Sequence, residues 1–425
     1  MKKRLAALCA VLLLLSELSG CSRGAEGRER KESGRDISRV SYHVNDASTS
    51  GCVLGDTFYS DHGSEQIRYY TPDGIKDGLC RDPLCTHRSD PENSETCPDS
   101  LLWPSFASDG TWLYCSADFV LGARKSVRRI CALSVDGSAL KVLCEYEPTA
   151  NNCRDLAVAG GYLYFEEGRY NDTYDPGAGF TDVGDQVGII VRIPVEGGRP
   201  EQVTDECGEI GAHFAADDST LWRTFLRAGE LERTDLNTRE SARIPLPDEF
   251  VNAFPYLIDG TLWLTAFVPC SAEVRREDGS TIARDGETWF LYRLLQDGGW
   301  DCLAQSETRF VCAGDEFWTV REDAPEYLGT KAYPTGRGSE KSETPVFDSH
   351  ARRIEIVSVR TGETSERLPG EGVGESESLF HLYAVGETVV YANLIDWQKA
   401  FAEGIPGGLA CLDRETLSVI WRQEP

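Results

Sequence analysis

Four side chains suited to soft metals fall within 18 residues: Cys80, Cys85, His87 and Cys97, spaced C-x4-C-x-H-x9-C. Thiolate and imidazole are the usual ligands of tetrahedral Zn²⁺. A Cys3His set fills all four positions, as in a structural site with no open coordination position. The spacing is looser than a zinc ribbon. The same residues could instead form a disulfide between two of the cysteines with His87 exposed, which an oxidising compartment favours. Both readings stay open, and structural zinc is the one cofactor the sequence suggests. Catalytic zinc is disfavoured, because no carboxylate or water position accompanies the set. A second cluster, Asp172, Asp175, Asp182 and Asp185, lies in the Gly-rich segment NDTYDPGAGFTDVGDQ. Oxygen ligands on a loop suit Ca²⁺, but no EF-hand or nonapeptide pattern is present, so an acidic solvated loop is the expectation. The string Gly20 to Gly24 matches G-x-S-x-G without the strand-turn-helix context it needs. There is no H-E-x-x-H motif and no Walker loop. His43, His62, His213, His350 and His381 are scattered along the chain.

The N-terminus carries a different chemistry. Lys2, Lys3 and Arg4 precede an apolar run from Leu5 to Leu15, and Ser19-Gly20 then offers a small-residue cleavage site before Cys21. The run is too short to span a bilayer, and the arrangement is that of an export signal. Leu18-Ser19-Gly20-Cys21 resembles the lipobox of bacterial lipoproteins. That resemblance implies removal of residues 1–20, thioether lipidation of Cys21, and a further acyl chain such as palmitate to complete a membrane anchor. Residues 22–39 (SRGAEGRERKESGRDISR) lack apolar periodicity and read as a flexible tether. The expected plan is a signal peptide (1–20), a lipidated cysteine with tether (21–39) and a folded body (40–425), anchored in the cell envelope and facing away from the cytoplasm.

Charge narrows the partners. The chain holds 43 Lys and Arg against 70 Asp and Glu, a formal charge of −27. Over residues 40–425 the balance is 34 against 65, or −31. Such a surface repels phosphate backbones, so nucleic acid is excluded as a main partner. Of 15 cysteines, Cys9 would leave with the signal and Cys21 would be lipidated. Thirteen remain, an odd number, so a complete intrachain disulfide framework is impossible. Several sit inside strand-like runs, among them Cys115, Cys131 and Cys411, and read as small buried hydrophobes.

The elements that must position these residues repeat. A Gly or Asp turn leads into a short apolar run ending in an aromatic residue: GDTFY (55–59), GTWLY (110–114), GYLYF (161–165), DSTLW (218–222), DGTLW (259–263), GDEFW (314–318) and GETVVY (386–391). Each is followed by a second run and another turn, such as ICALSVDG (130–137) and LYRLLQDGG (291–299). This is the hairpin signal. Units of 40 to 70 residues with about four strands each are the mark of propeller blades. The fold expected is all-β, a single β-propeller of about seven four-stranded blades. Six or eight remain open, because the chain ends can share strands to close the ring. The aromatics Tyr59, Tyr114, Tyr164, Trp222, Trp263 and Trp318 should occupy equivalent second-strand sites.

With its lipobox, its blades and the segment LCRDPLCTHRSDPENSETCP (79–98), the chain resembles β-propeller lipoproteins of Gram-positive anaerobes. That resemblance implies a surface-anchored propeller with no assigned chemistry. The last unit, GLACLDRETLSVIWR (408–422), is similar to a blade of quinoprotein-type propellers, though one unit does not bring a quinone cofactor with it.

Insert lengths carry the functional hint. Long connections between second and third strands are expected at 168–187, 268–288, 321–349 and 394–408. The segment 80–100, in a fourth-to-first connection, should share their face. Loops gathered on one side of a rigid scaffold are where binding resides. These would present Phe180, Tyr327, Tyr333, Trp397 and Phe401 to a protein or carbohydrate ligand. The expected function is therefore a non-enzymatic binding or scaffolding propeller. The alternatives are an envelope hydrolase or lyase with a composite site on the propeller axis, and a quinoprotein-like assembly scaffold.

Overall fold

The computed structural model describes residues 41–43, 50–60, 67–80, 82, 84–85, 97, 102–120, 126–146, 155–170, 186–208, 213–334, 341–404 and 407–423. Cys21, His87, Phe180, Asp172, Asp175, Asp182 and Asp185 lie outside them. The described chain is a seven-bladed propeller of four-stranded antiparallel sheets. Blade 1 runs over 50–77, blade 2 over 102–146, blade 3 over 156–202 and blade 4 over 214–245. Blade 5 runs over 252–306, blade 6 over 311–367 and blade 7 over 377–422. A short extra strand, Ser41–His43, pairs with the first strand of blade 1.

The aromatic register holds in every blade. Tyr59, Tyr114, Tyr164, Trp222, Trp263, Trp318 and Tyr391 are each the third residue of their blade's second strand, and all are buried. The preceding residue, Phe58, Leu113, Leu163, Leu221, Leu262, Phe317 or Val390, points to the opposite face and is buried too. Both faces of each second strand are therefore dry, as blades stacked around an axis require. An aromatic side chain buries on the order of 150–250 Å². At about 25 cal/mol per Å² that is roughly 4–6 kcal/mol of gross transfer free energy per blade, an upper estimate.

The tight turns follow local chemistry. Asp259 and Gly260 both have positive φ (50° and 73°), as do Gly160 and Gly161 (57° and 77°), the backbone a two-residue type I′ hairpin demands. Elsewhere an aspartate opens the turn. Asp217 Oδ1 accepts from the backbone N–H groups of Ser219 and Thr220 at 2.8 and 2.7 Å, and Asp413 Oδ1 does the same for Glu415 and Thr416 at 3.1 and 2.8 Å.

The ring does not close by strand exchange: every four-stranded blade is contiguous in sequence. Side chains bridge blade 7 to blade 1 instead. Thr388 donates to Asp56 through its backbone N–H and its hydroxyl, each at 2.6 Å. The Tyr391 hydroxyl reaches the Asp56 carbonyl at 2.6 Å. Trp421 Nε1 donates to the Thr71 carbonyl at 2.8 Å, so the tryptophan behind the quinoprotein-like resemblance serves ring closure.

Candidate functional site

The strands of a blade alternate in direction, so second-to-third connections all emerge on one face. In blades 5, 6 and 7 they are elaborated. The second and third strands of blade 5, Thr261–Arg275 and Thr281–Leu294, run on past the blade as a long hairpin. Blade 6 inserts a separate hairpin, Glu326–Pro334 with Lys341–Asp348. Blade 7 inserts the helix α1, Trp397–Glu403, a departure from the strand-only pattern of the sequence. Asp396 makes that helix possible locally. Its Oδ1 caps the Lys399 N–H at 3.0 Å, and its Oδ2 accepts from Ser376 Oγ at 2.8 Å. Gly404 ends the helix in the left-handed region, at φ 73°.

These inserts pack on one another. Phe401 lies so close to Gly329 that a Cβ there would come within 2.3 Å of its ring. Lys331 Nζ donates to the Ala400 carbonyl at 3.1 Å. Tyr327 packs edge-on against Phe347 at 5.7 Å and lies under Arg276 at 4.8 Å. Both terminal nitrogens of Arg284 reach Glu322, at 2.5 and 2.8 Å, which ties the blade 5 hairpin to the blade 6 edge.

Between them is a cavity of about 220 Å³, lined by Arg284, Thr344, Phe347, Ser349, Phe380 and Trp397 among others. Phe380 and Trp397 meet edge to face at 5.1 Å. Ser349 is only 3% exposed, and its Oγ has no hydrogen-bond partner; Trp397 Nε1 is likewise buried and unpartnered. Aromatic walls with two unsatisfied polar atoms are what a hydroxyl-bearing ligand needs. Of the aromatics read from the sequence, Trp397 lines the cavity, while Tyr327 and Phe401 support the inserts around it. Tyr333 belongs to the blade 6 hairpin strand. Ser349, Phe347, Phe380 and Arg284 were not legible, because no local spacing marks residues that meet only after three blades are assembled.

A second constellation lies at the axis. His213 Nδ1 stands 2.7 Å from Asp155 Oδ2, with both side chains nearly buried. The two residues immediately precede the first strands of blades 4 and 3. A small cavity of about 40 Å³ opens beside them, bounded also by Phe254 and Tyr256 of blade 5. One histidine and one carboxylate from neighbouring blades thus meet here, beside a space that holds little more than one water.

The thiol cluster follows the fourth strand of blade 1. The sulfurs of Cys80, Cys85 and Cys97 all lie within 4.8 Å of one another. Asp82 brings the chain back on itself, its carbonyl accepting from the Cys85 N–H at 3.2 Å and its carboxylate from the Leu84 N–H at 2.9 Å. Burial pushes the Cys80 thiol up. Most of the segment 80–100 lies outside the described residues. Just before it, the Leu79 carbonyl packs on Gly137 in the turn between the third and fourth strands of blade 2, where an added Cβ would come within 2.0 Å. Gly78, at φ 75°, turns the chain after the short fourth strand of blade 1. The strand cysteines behave as core: Cys115, Cys131 and Cys411 are fully buried, and burial raises Cys52 and Cys411 to about 12.

No protein-family model and no curated protein matches the chain. Solved structures similar to it include an oligogalacturonate lyase in complex with manganese (9% identity, 84% of this chain and 86% of that one, TM-score 0.44). Another is the oligogalacturonate lyase of Vibrio parahaemolyticus (8% identity, 84% and 86%, TM-score 0.41). A third is the periplasmic gluconolactonase of Pseudomonas aeruginosa (10% identity, 91% and 94%, TM-score 0.37). They carry no activity, metal or ligand over to this chain.

Proposed function

We propose that this chain is an envelope-anchored lipoprotein whose propeller is a non-enzymatic binding or scaffolding module. Its ligand, a glycan or a protein segment, would seat in the cavity between the inserts of blades 5, 6 and 7. The observation that carries this reading is the pair of unpartnered atoms, Ser349 Oγ and Trp397 Nε1, in an aromatic-walled cavity of about 220 Å³. A buried polar group without a partner costs about 1–3 kcal/mol, which a ligand hydroxyl or carbonyl would recover. Among the described residues lining the cavity, Arg284 is the one ionisable group, and it is held by Glu322.

Anchoring would come from Cys21, on the resemblance of Leu18-Ser19-Gly20-Cys21 to a lipobox. A structural Zn²⁺ on Cys80, Cys85 and Cys97, with His87 as fourth ligand, fits the donor chemistry. At a Zn–S distance of about 2.3 Å, tetrahedral sulfurs stand roughly 3.8 Å apart, a small contraction of the observed cluster. A second reading, an axial hydrolase or lyase, is favoured by the Asp155 and His213 pair alone.

The experiment is a glycan and peptide array probed with the purified chain, with hits confirmed by quenching of tryptophan fluorescence. The expected result is binding that Trp397→Ala weakens at least tenfold and Ser349→Ala less, without turnover of the bound ligand. Binding indifferent to Trp397→Ala, or turnover abolished by His213→Ala, would replace this reading with the axial one. Detergent-phase partitioning lost in Cys21→Ala checks the anchor.

A further inference from the structure

Most arginines at the blade surfaces are matched to a carboxylate. Arg129 reaches Glu145, Arg223 reaches Glu232, Arg293 reaches Asp301 and Arg414 reaches Glu316, all at 2.6–2.8 Å. Arg309 is different. Its guanidinium carbon lies 4.5 Å from the centre of the Phe254 ring and 5.9 Å from that of Trp289, and its Nε and Nη2 are shut away from water without a hydrogen-bond partner. Among the described residues, no carboxylate pairs with this cation. Ring faces offset only part of the cost of desolvating a guanidinium.

The identity of the two orphaned atoms matters. Nε and Nη2 form one edge of the guanidinium, the edge on which a carboxylate docks through two parallel N–H···O bonds. The surroundings are those of the axial constellation. The other neighbour of Phe254 is His213, with ring centres 4.2 Å apart, and His213 is held by Asp155. Asp155, His213, Phe254 and Arg309 come from the same end of the first strands of blades 3, 4, 5 and 6, or from the residues just before them. Strand alternation puts that end on the insert face, at the mouth of the axis.

We infer that Arg309 anchors a carboxylate-binding site at the axial mouth, distinct from the insert cavity, which takes a small organic acid through its Nε and Nη2 edge. Phe254 supports the guanidinium and also packs on His213, which holds Asp155. The small cavity beside Asp155 and His213 shares Phe254 with this site. One guanidinium, with its single charge, matches a singly charged group better than the two charges of phosphate.

The test is ligand-observed NMR and calorimetry on the full chain in detergent, at constant ionic strength. Acetate and D-glucuronate serve as probes, with acetamide and D-glucose as their neutral counterparts and inorganic phosphate as competitor. The expected result is binding of the acids but not of the neutral compounds. Arg309→Lys keeps the charge and removes the two-pronged edge, so it should weaken binding at least tenfold. Arg360→Lys, at an exposed arginine paired with Asp315, should leave it unchanged. Equal binding of acetate and acetamide, no binding of either acid, full affinity in Arg309→Lys, or tighter binding of phosphate would each overturn the inference. Should Arg309→Lys fail to fold, the contrast of acetate with acetamide on the unaltered chain still decides.

Discussion

Blades 1 and 2, with the segment joining them, hold Cys52, Cys80, Cys85, Cys97, Cys115, Cys131 and Cys144. Blades 5 to 7 hold fewer, Cys270, Cys302, Cys312 and Cys411, and vary in length instead, through two long hairpins and a helix. Both regions keep the same strand plan and the same third-position aromatic in the second strand. The thiol-rich side departs from the repeat in the connection from blade 1 to blade 2, next to the packing of Leu79 on Gly137. The inserted side departs in second-to-third connections, where the additions pack on one another. A closed ring of stacked blades tolerates both, because each departure begins and ends within one connection and leaves the interblade packing intact.

The largest expected effect separates scaffold aromatics from insert aromatics. Trp318 is wholly buried, with Arg367 and Arg414 over its ring at 5.3 and 5.2 Å and its Nε1 bonded to Glu316 at 2.9 Å. Trp318→Ala should cost about 3–5 kcal/mol in urea unfolding. Trp397→Ala, on an insert and only partly buried, should cost about 1 kcal/mol or less while removing ligand binding. Similar losses from the two changes would mean that the inserts are part of the core.

That contrast also explains what the sequence could show. The aromatic register was legible because each copy is local: a Gly or Asp turn, then a fixed count to the buried ring, as in DGTLW for Trp263. The inserts were legible as breaks in the period. Not legible was anything made by several blades at once. Asp155 meets His213 across 58 positions, Arg284 meets Glu322 across 38, and Asp56 meets Thr388 across 332. The packing of Leu79 on blade 2 was also hidden, because it depends on the bare backbone at Gly137.

A smaller effect is expected from metal. Purified chain should carry about one Zn²⁺, and its removal by a chelator should lower the melting temperature by several degrees. Faster amide exchange should follow around Leu79 and the 135–139 turn of blade 2 but not in the 268–288 hairpin. Cys97→Ser should reproduce both results. A chain without metal whose three thiols react with a thiol reagent while it stays folded would leave the cluster without this role, and exchange that rises equally in blades 5 to 7 would deny the two regions their independence.

The smallest effect is a pH dependence of the turns, which reaches both regions through one device. Asp136 in blade 2 is pushed down to about 2 by the hydroxyl and backbone N–H of Ser138 and by Ser134. Asp278, at the tip of the blade 5 hairpin, is held below its ordinary 3.8 by the same two groups of Ser280. Asp235 and Asp413 are lowered by the backbone N–H groups of the turns they open. Each carboxyl favours its charged form more in the folded chain than in the unfolded one. Its contribution is therefore present above about pH 4 and is lost as the pH falls through the folded value, last of all for Asp136 near 2. Asp136 and Asp278 are exposed and Asp235 and Asp413 partly so, so each effect is small and screened by salt. The melting temperature should decline progressively between pH 4 and 2, less steeply in Asp278→Asn and Asp136→Asn. The two variants should then differ in reach. The Asp278 turn ends in solvent, so Asp278→Asn should alter amide exchange only near 276–280. The Asp136 turn abuts Leu79 beside Cys80, so Asp136→Asn should also weaken Zn²⁺ retention by the thiol cluster. A melting temperature that is flat from pH 4 to 2 would remove the turn mechanism. Zinc retention unchanged in Asp136→Asn would show that blade 2 does not brace the cluster.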